Sequence, residues 1–363
     1  MHAPVFAGNE KTYVCETIES TFVSSVGAYV DRFERMLVEI TGAKHVIATT
    51  NGTTALHMAL LLAQVAQGEL VVTQSLSFVA TSNAIAHAGA IPAFVDVEAT
   101  TLGMSPDALD AFLRHSCERV SGTTRHRESG RRVAACVPMH AFGFPCRIEE
   151  IAAICSDWGI ALVEDAAEAL GSRRAARHCG TTGQLGTLSF NGNKLCTTGG
   201  GGAIMTNDAE IARRAKHLTT TAKLAHRWRF AHDEVGYNFR LPNLNAALGC
   251  AQLERLDAFL AFKRDLAARY REAFDAAGIA FLTEPLQTRA NYWLCSILLA
   301  DEAERDFCLE VTNDAGVMTR PVWQPLHTLP MFEVHPRGPL PVTEDIAARL
   351  VNIPSGVRGE GSA

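Results

Sequence analysis

The chain contains no apolar run approaching the ~18 residues that cross a bilayer, so no membrane-spanning helix is expected. It has no excess of basic charge. A formal net charge of −6 argues against non-specific nucleic-acid binding. None of its ten cysteines forms a C-x-x-C pair, and a chain this long needs no disulfide staples. Most read as small apolar residues in a reducing cytoplasm. Met1-His2-Ala3-Pro4 leads into polar residues rather than an apolar signal core, so export is not expected. No internal repeat is found.

What is present is an alternation of two periods. Strand patterns at 45–49, 69–73, 93–96, 133–138, 160–163, 187–190 and 203–206 are interleaved with helical patterns at 53–66, 78–87, 148–158 and 208–218. Pro106 opens a further helix. Such alternation implies a mostly parallel sheet covered on both faces. Residues 121–132 form a polar, basic break and read as a solvated surface loop. With 363 residues the chain exceeds one ordinary core, so two domains are expected, at 1–241 and 242–363. In the second, a long or broken helix over 243–274 precedes strands at 292–300 and 317–321 and helices at 302–314 and 344–350. The tail at 359–363 is expected to be disordered.

Ligands of such sheets bind beyond the carboxyl ends of the strands, and Gly52, Asp165 and Lys194 each follow a strand pattern. In Thr50-Asn51-Gly52-Thr53-Thr54, Gly52 lets the backbone approach an anion, and Thr53 and Thr54 offer N–H groups and hydroxyls. An ordinary capped helix start gives the same pattern. Ser189 would be a second donor, with Asn191 or Asn193 nearby. Neither segment has the P-loop or dinucleotide fingerprint, which argues against nucleotide hydrolysis and hydride transfer. Asp165 ends an apolar run; it either pairs with a protonated pyridine nitrogen or caps the turn that follows.

Lys194 stands just before four glycines, Gly199 to Gly202. A lysine in such a place is ordinarily a surface charge. Taken in order, however, a phosphate turn, an aspartate and a Ser-x-x-x-x-Lys segment are the parts that hold pyridoxal phosphate (PLP). The amine would form an imine with the cofactor aldehyde and, once released, act as a base. Phe78 either stacks on the cofactor ring or belongs to the core. His140 either reaches the site or is a satisfied loop histidine, and Cys196 either lines the site or is a small residue that fits. Arg320 and His327 in the C-terminal region join His140 as candidate substrate contacts.

Several longer stretches carry a resemblance. They are Asn51-Gly52-Thr53-Thr54-Ala55-Leu56-His57, the run from Ser77 to Ala84, Val163-Glu164-Asp165-Ala166-Ala167-Glu168, the Ser189–Lys194 loop, and the run from Gly236 to Ala247. Over nearly its whole length the chain resembles the PLP-dependent sugar aminotransferases of the DegT/StrS type. The resemblance implies an α/β fold of the fold-type I, aspartate-aminotransferase-like kind. A large, mostly parallel seven-stranded sheet domain would precede a smaller C-terminal α+β domain. It implies that Lys194 bonds the cofactor, Asp165 pairs the ring nitrogen and Phe78 stacks. Gly52, Thr53 and Ser189 would hold the phosphate, Asn238 would reach in from a second subunit of a homodimer, and Glu168 would lie near the phenolic oxygen.

The implied reaction moves an amino group from L-glutamate to C4 of a nucleotide-linked 4-keto-6-deoxyhexose, for surface polysaccharide or glycan synthesis. Ser20–Gly27, Val137–Gly143 and Asn243-Leu244-Asn245-Ala246-Ala247 are similar to the subgroup using UDP-linked 4-keto-6-deoxy-N-acetylhexosamines. A GDP-linked, perosamine-type substrate is the alternative, as is a non-catalytic PLP-binding regulator. Related sugar dehydratases carry histidine at the lysine position, so Lys194 argues against that chemistry. Phe144 stands where the subgroup usually has a polar residue, and the 121–132 segment is longer and more basic than the family pattern.

Overall fold

The computed structural model describes residues 2–358, so the 359–363 tail lies outside the described residues. Seven strands form the main sheet: β1 (His45–Thr49), β2 (Leu70–Gln74), β3 (Ile91–Val95), β4 (Val133–Val137), β5 (Ala161–Asp165), β6 (Leu185–Ser189) and β7 (Gly202–Thr206). Their order is β1-β7-β6-β5-β4-β2-β3. Only β7 is reversed, pairing antiparallel with β1 and β6. The remaining pairs are parallel, so six strands deliver their carboxyl ends to one edge.

These strands are buried on both faces, which is why they read as apolar runs rather than alternating ones. Successive residues still point to opposite sides. Val71 belongs to the apolar cluster on one face, which also takes in residues of helices Gly52–Leu62 and Ala209–Thr219. Its neighbours Leu70 and Val72 pack with helices Pro106–Ser116 and Ile148–Trp158 on the other face. Helix Ala209–Thr219 begins as its sequence predicts, with the Asp208 carboxylate accepting the N–H groups of Glu210 and Ile211.

The C-terminal region builds a second, antiparallel sheet from β8 (Ala280–Phe281), β9 (Cys295–Leu298), β10 (Arg320–Pro321) and β11 (Leu350–Ile353), in the order β8-β9-β11-β10. Here the structure corrects the sequence reading. The last helix is Pro341–Arg349, and at Leu350 the backbone turns extended without an intervening loop. The unforeseen β11 is an inner strand of this sheet. The 121–132 segment is also not all loop. Thr123–His126 pairs antiparallel with Cys117–Val120, burying Thr124 and His126. The long helical stretch breaks into Asn243–Leu253 and Leu256–Ala276. No helix among the described residues is long and apolar enough to cross a membrane.

Asn243 also organises the N-terminal segment. Its Oδ1 accepts the N–H groups of Tyr29 and Val30, capping helix Ala28–Thr41 from outside. Gly27 precedes that helix because any Cβ there would fall 2.2 Å from the Asn243 side chain.

Helix Leu256–Ala276 buries a lysine completely. Lys263 Nζ donates to the carbonyl oxygens of Trp293 (2.8 Å) and Ser355. Burial lowers its pKa to about 7, partly offset by the nearby Cys295 thiol. In the unfolded chain the amine stays protonated to about pH 10.4. Between those values the unfolded state binds more protons, so stability should rise with pH. Relative to Lys263→Met, the wild-type protein should gain about 1.4 kcal/mol per pH unit at most from pH 7 to 9. Unfolding midpoints of both proteins across that range check this; parallel pH profiles would contradict it.

Candidate active site

The carboxyl edge of the sheet opens into a cleft of about 470 Å³, lined among others by Gly52, Thr53, Phe78, Asp165, Ser189 and Lys194. Glu168, Trp293, Trp323 and Arg320 complete its walls. Each side chain arrives for a local reason. Gly52 starts helix Gly52–Leu62 behind the N-cap Asn51, whose Oδ1 takes the Thr54 N–H at 2.8 Å and whose carbonyl takes that of Ala55. In helical geometry that leaves the N–H groups of Gly52 and Thr53 without intrahelical partners. They sit where an anion is favoured by the helix dipole. A Cβ on Gly52 would lie 2.8 Å from Ser189 Cβ, so only glycine keeps this cradle open beside the Ser189 hydroxyl.

Asp165 is the last residue of β5, 5% exposed. Its two oxygens are held separately: Oδ2 accepts the Thr81 hydroxyl at 2.8 Å and Oδ1 accepts the Ala167 N–H at 3.1 Å. The second bond is the capping role the sequence left open; the first leaves lone pairs facing the cleft. Glu164, one residue earlier, points the other way. It accepts from His140 Nε2 (3.0 Å) and from the N–H groups of Gly180, Thr182 and Gly183. Burial alone would raise the Glu164 pKa, but His140 and these N–H groups outweigh it and hold the carboxylate below its ordinary range.

Lys194 Nζ reaches Glu168 Oε1 at 3.1 Å and lies 4.0 Å from the centre of the Trp293 ring. Glu168 is buried, and its Oε2 accepts the Phe142 N–H at 2.8 Å. Burial raises the Glu168 pKa above the usual carboxyl range, although Lys194 and the Phe142 N–H pull the other way. A carboxyl so poised beside an amine is a ready place to hold a proton.

Gly52, Thr53, Phe78, Asp165, Glu168, Ser189, Lys194 and Arg320 therefore meet in one cleft. Phe78 is 49% exposed there and does not belong to the core. His140 and His327 are not brought to it. His140 is fully buried, with Nε2 on Glu164 and Nδ1 accepting the Cys146 N–H. It is the satisfied histidine of the two readings. His327 is held by Ser75, whose hydroxyl lies 2.7 Å from Nδ1 and accepts the His327 N–H. A position near a strand end does not tell which way a side chain points, and both histidines point into the protein. Asn238 is exposed outside this chain's cleft, with its Oδ1 accepting from Arg240. Cys196 is buried with its thiol directed to the Gln252 carbonyl. Phe144 is also buried, edge-on to Tyr292, so its departure from the family pattern does not touch the cleft.

Thr81, Trp293 and Trp323 were not foreseen. Thr81 had a faint signal in its spacing from Ser77, which lies in the bend just before helix Ala80–His87 and places the two hydroxyls 2.8 Å apart. The tryptophans had none, because only tertiary packing brings them to the cleft.

The cleft suits PLP. A cradle that a Cβ would fill, two free helix N–H groups, a fixed carboxylate and an amine are the donors and acceptors that a phosphate, a pyridine nitrogen and an aldehyde require. Comparison with known proteins agrees. The pattern of the DegT/DnrJ/EryC1/StrS aminotransferase family matches residues 5–360. The chain is 35% identical to GDP-perosamine synthase of Escherichia coli O157:H7, over 98% of this chain and 92% of that protein. It is 34% identical to EpsN of Bacillus subtilis strain 168, over 97% and 89% respectively. The crystal structure of a DegT DnrJ EryC1 StrS aminotransferase from Brucella abortus superposes with a TM-score of 0.87 at 28% identity, covering 96% of this chain and 90% of that one. The chain therefore belongs to the DegT/DnrJ/EryC1/StrS aminotransferase family and is a PLP-dependent transaminase.

Proposed function

We propose that the protein transfers an amino group from L-glutamate to the C4 ketone of a nucleotide-linked 4-keto-6-deoxyhexose, in the cytoplasm, for a surface polysaccharide or glycan. The observation that carries this reading is the convergence of Lys194, Asp165 and the Gly52–Ser189 cradle on one cleft. When bound, PLP supplies an aldehyde to receive the donor's amino group and a ring that takes up charge from the donor carbon. Lys194 would be its covalent anchor. The Gly52 and Thr53 N–H groups with the Ser189 hydroxyl would bind its phosphate, and Phe78 would lie against its ring. Asp165, already fixed by Thr81 and Ala167, would accept from its ring nitrogen.

The freed Lys194 amine then removes the proton from the α-carbon of glutamate and, in the second half-reaction, delivers one to C4 of the sugar. Glu168 keeps the amine on station. Lys194 and Arg320 are the only cations among the described lining residues. Arg320 is tethered through Nη1 to Asn313 and to the Thr319 carbonyl, and we assign it a carboxylate or phosphate of the substrates. Binding of the nucleotide, remote from the reacting carbon, would supply energy for alignment, so a bare keto sugar should react poorly. All ten cysteines are free, as a reducing compartment would have them.

The relatives named GDP-perosamine synthase, at 32–35% identity, favour a GDP-linked sugar. The UDP-linked N-acetylhexosamine reading rests on the Ser20–Gly27, Val137–Gly143 and Asn243–Ala247 motifs. Purified protein with L-glutamate should aminate one of GDP-, UDP- and dTDP-linked 4-keto-6-deoxyhexoses at least tenfold faster than the others. Turnover of none of them, with turnover of 2-oxo acids instead, would replace this reading with an ordinary amino-acid transaminase.

A homodimer with shared sites is part of the proposal. Asn238 lies outside its own cleft, and the apolar side chains near it in sequence, Trp228, Phe230 and Val235, are 69%, 81% and 83% exposed. Surface of that kind is what a second copy would cover. Asn238→Ala should weaken PLP retention about ten- to 150-fold, the effect of one lost hydrogen bond to a charged group. Titration of cofactor-depleted protein with PLP measures this. Unchanged affinity would count against a contact across the dimer.

A further inference from the structure

One short segment of the C-terminal region grips both members of the Lys194–Glu168 pair. Asn291 Nδ2 donates to the Glu168 carbonyl oxygen at 2.8 Å, while Asn291 Oδ1 accepts the Trp293 N–H at 2.8 Å. Trp293, 5% exposed in the cleft wall, donates its indole Nε1–H to the Asn193 carbonyl oxygen at 2.8 Å. That carbonyl belongs to the peptide immediately before Lys194. The Trp293 carbonyl is fixed in turn by the buried Lys263 amine at 2.8 Å. The indole is thus tied at its N–H, its backbone N–H and its backbone carbonyl, and its face lies 4.0 Å from Lys194 Nζ. An indole face is the best of the aromatic partners for an ammonium group.

We propose that Trp293 is a positioning residue for Lys194: its fixed ring is the shelf on which the lysine amine rests whenever that amine is not bonded to the cofactor. This deepens the functional reading above and rests on it, since it presumes that Lys194 anchors the cofactor and carries the proton. Released by the incoming donor, a four-carbon side chain with a free amine has many rotamers open to it. The shelf restricts them to those near Glu168, so the amine is in place for both proton transfers. No other aromatic ring is in face contact with Lys194 Nζ among the described residues.

The test uses the PLP-loaded enzyme and two variants, Trp293→Leu and Trp293→Phe. Leucine fills space without a π face; phenylalanine keeps a face but loses the indole N–H. With L-glutamate varied, kcat of the leucine variant should fall on the order of tenfold, the change a partly desolvated cation–π contact carries. KM should change less than twofold, and phenylalanine should recover most of the loss. Two further readouts accompany the kinetics: borohydride fixation of the cofactor with peptide mapping, and the thermal midpoint. Fixation should match wild type in both variants; the thermal midpoint should fall by a similar amount in both, since each loses buried volume and the indole N–H, and should stay above the assay temperature. An unchanged kcat in the leucine variant overturns the shelf, as do equal losses in both variants or losses that track reduced fixation or stability. Fixation in the wild-type enzyme on a residue other than Lys194 overturns the reading of the site itself.

Discussion

Lys194→Ala is expected to lower turnover about 10³- to 10⁴-fold, the upper part of the range for a positioned acid–base group. The size follows from the geometry. Lys194 is the only amine among the described residues that line the cleft, and Arg320, the other cation there, carries a guanidinium rather than an amine. Neither Glu168 nor a bulk water can replace an amine in bonding the cofactor, so both half-reactions lose the same group. The side chain projects into the cleft rather than the core, so the fold should survive, as an unchanged thermal midpoint would verify. Lys194→Arg separates charge from chemistry: it retains a cation beside Glu168 but cannot bond an aldehyde in the same way, and should be as inactive as alanine. A rate within tenfold of wild type in either variant, at saturating glutamate and keto sugar, would remove Lys194 from the mechanism.

Asp165→Asn should cost about 10²- to 10⁴-fold in kcat, corresponding to the 3–5 kcal/mol lost when one partner of a buried charge pair is removed. Asparagine is nearly isosteric and its amide oxygen can still accept from Thr81 or Ala167. What it cannot provide is a negative charge opposite a protonated ring nitrogen. The substitution therefore tests charge with little change in packing. Stopped-flow absorbance of the glutamate half-reaction gives the rate, and PLP titration gives the affinity. The expected pattern is a large fall in rate with a smaller loss of binding. Wild-type rates in the asparagine variant would show that Asp165 only caps its turn.

The large sheet was legible because its strands are buried on both faces and separated by helices of regular period. The cleft positions of Asp165 and Lys194 were legible because one ends such a strand and the other follows one. Other features depend on information that local sequence does not hold. The β11 strand runs straight on from a helix, with no glycine or turn at the junction. Its partners Cys295–Leu298 and Arg320–Pro321 lie 30 or more positions away along the chain. His140 lies near a strand end and His327 in the C-terminal region, but orientation turns them toward Glu164 and Ser75. Lys263 reads as one more charge on an amphipathic helix, yet two backbone carbonyls hold it in the interior. Trp293 owes its place above Lys194 to that lysine and to Asn291, neither of which adjoins the glycine-rich loop in sequence.

The most direct test of the account is chemical. The purified enzyme, saturated with PLP, is reduced with borohydride, digested and mapped by mass spectrometry. A single phosphopyridoxyl group on Lys194, lost in Lys194→Ala and prevented by prior conversion with excess L-glutamate, is the predicted result. The same group on another lysine, or no fixed cofactor at all, would contradict the assignment on which the whole site is built.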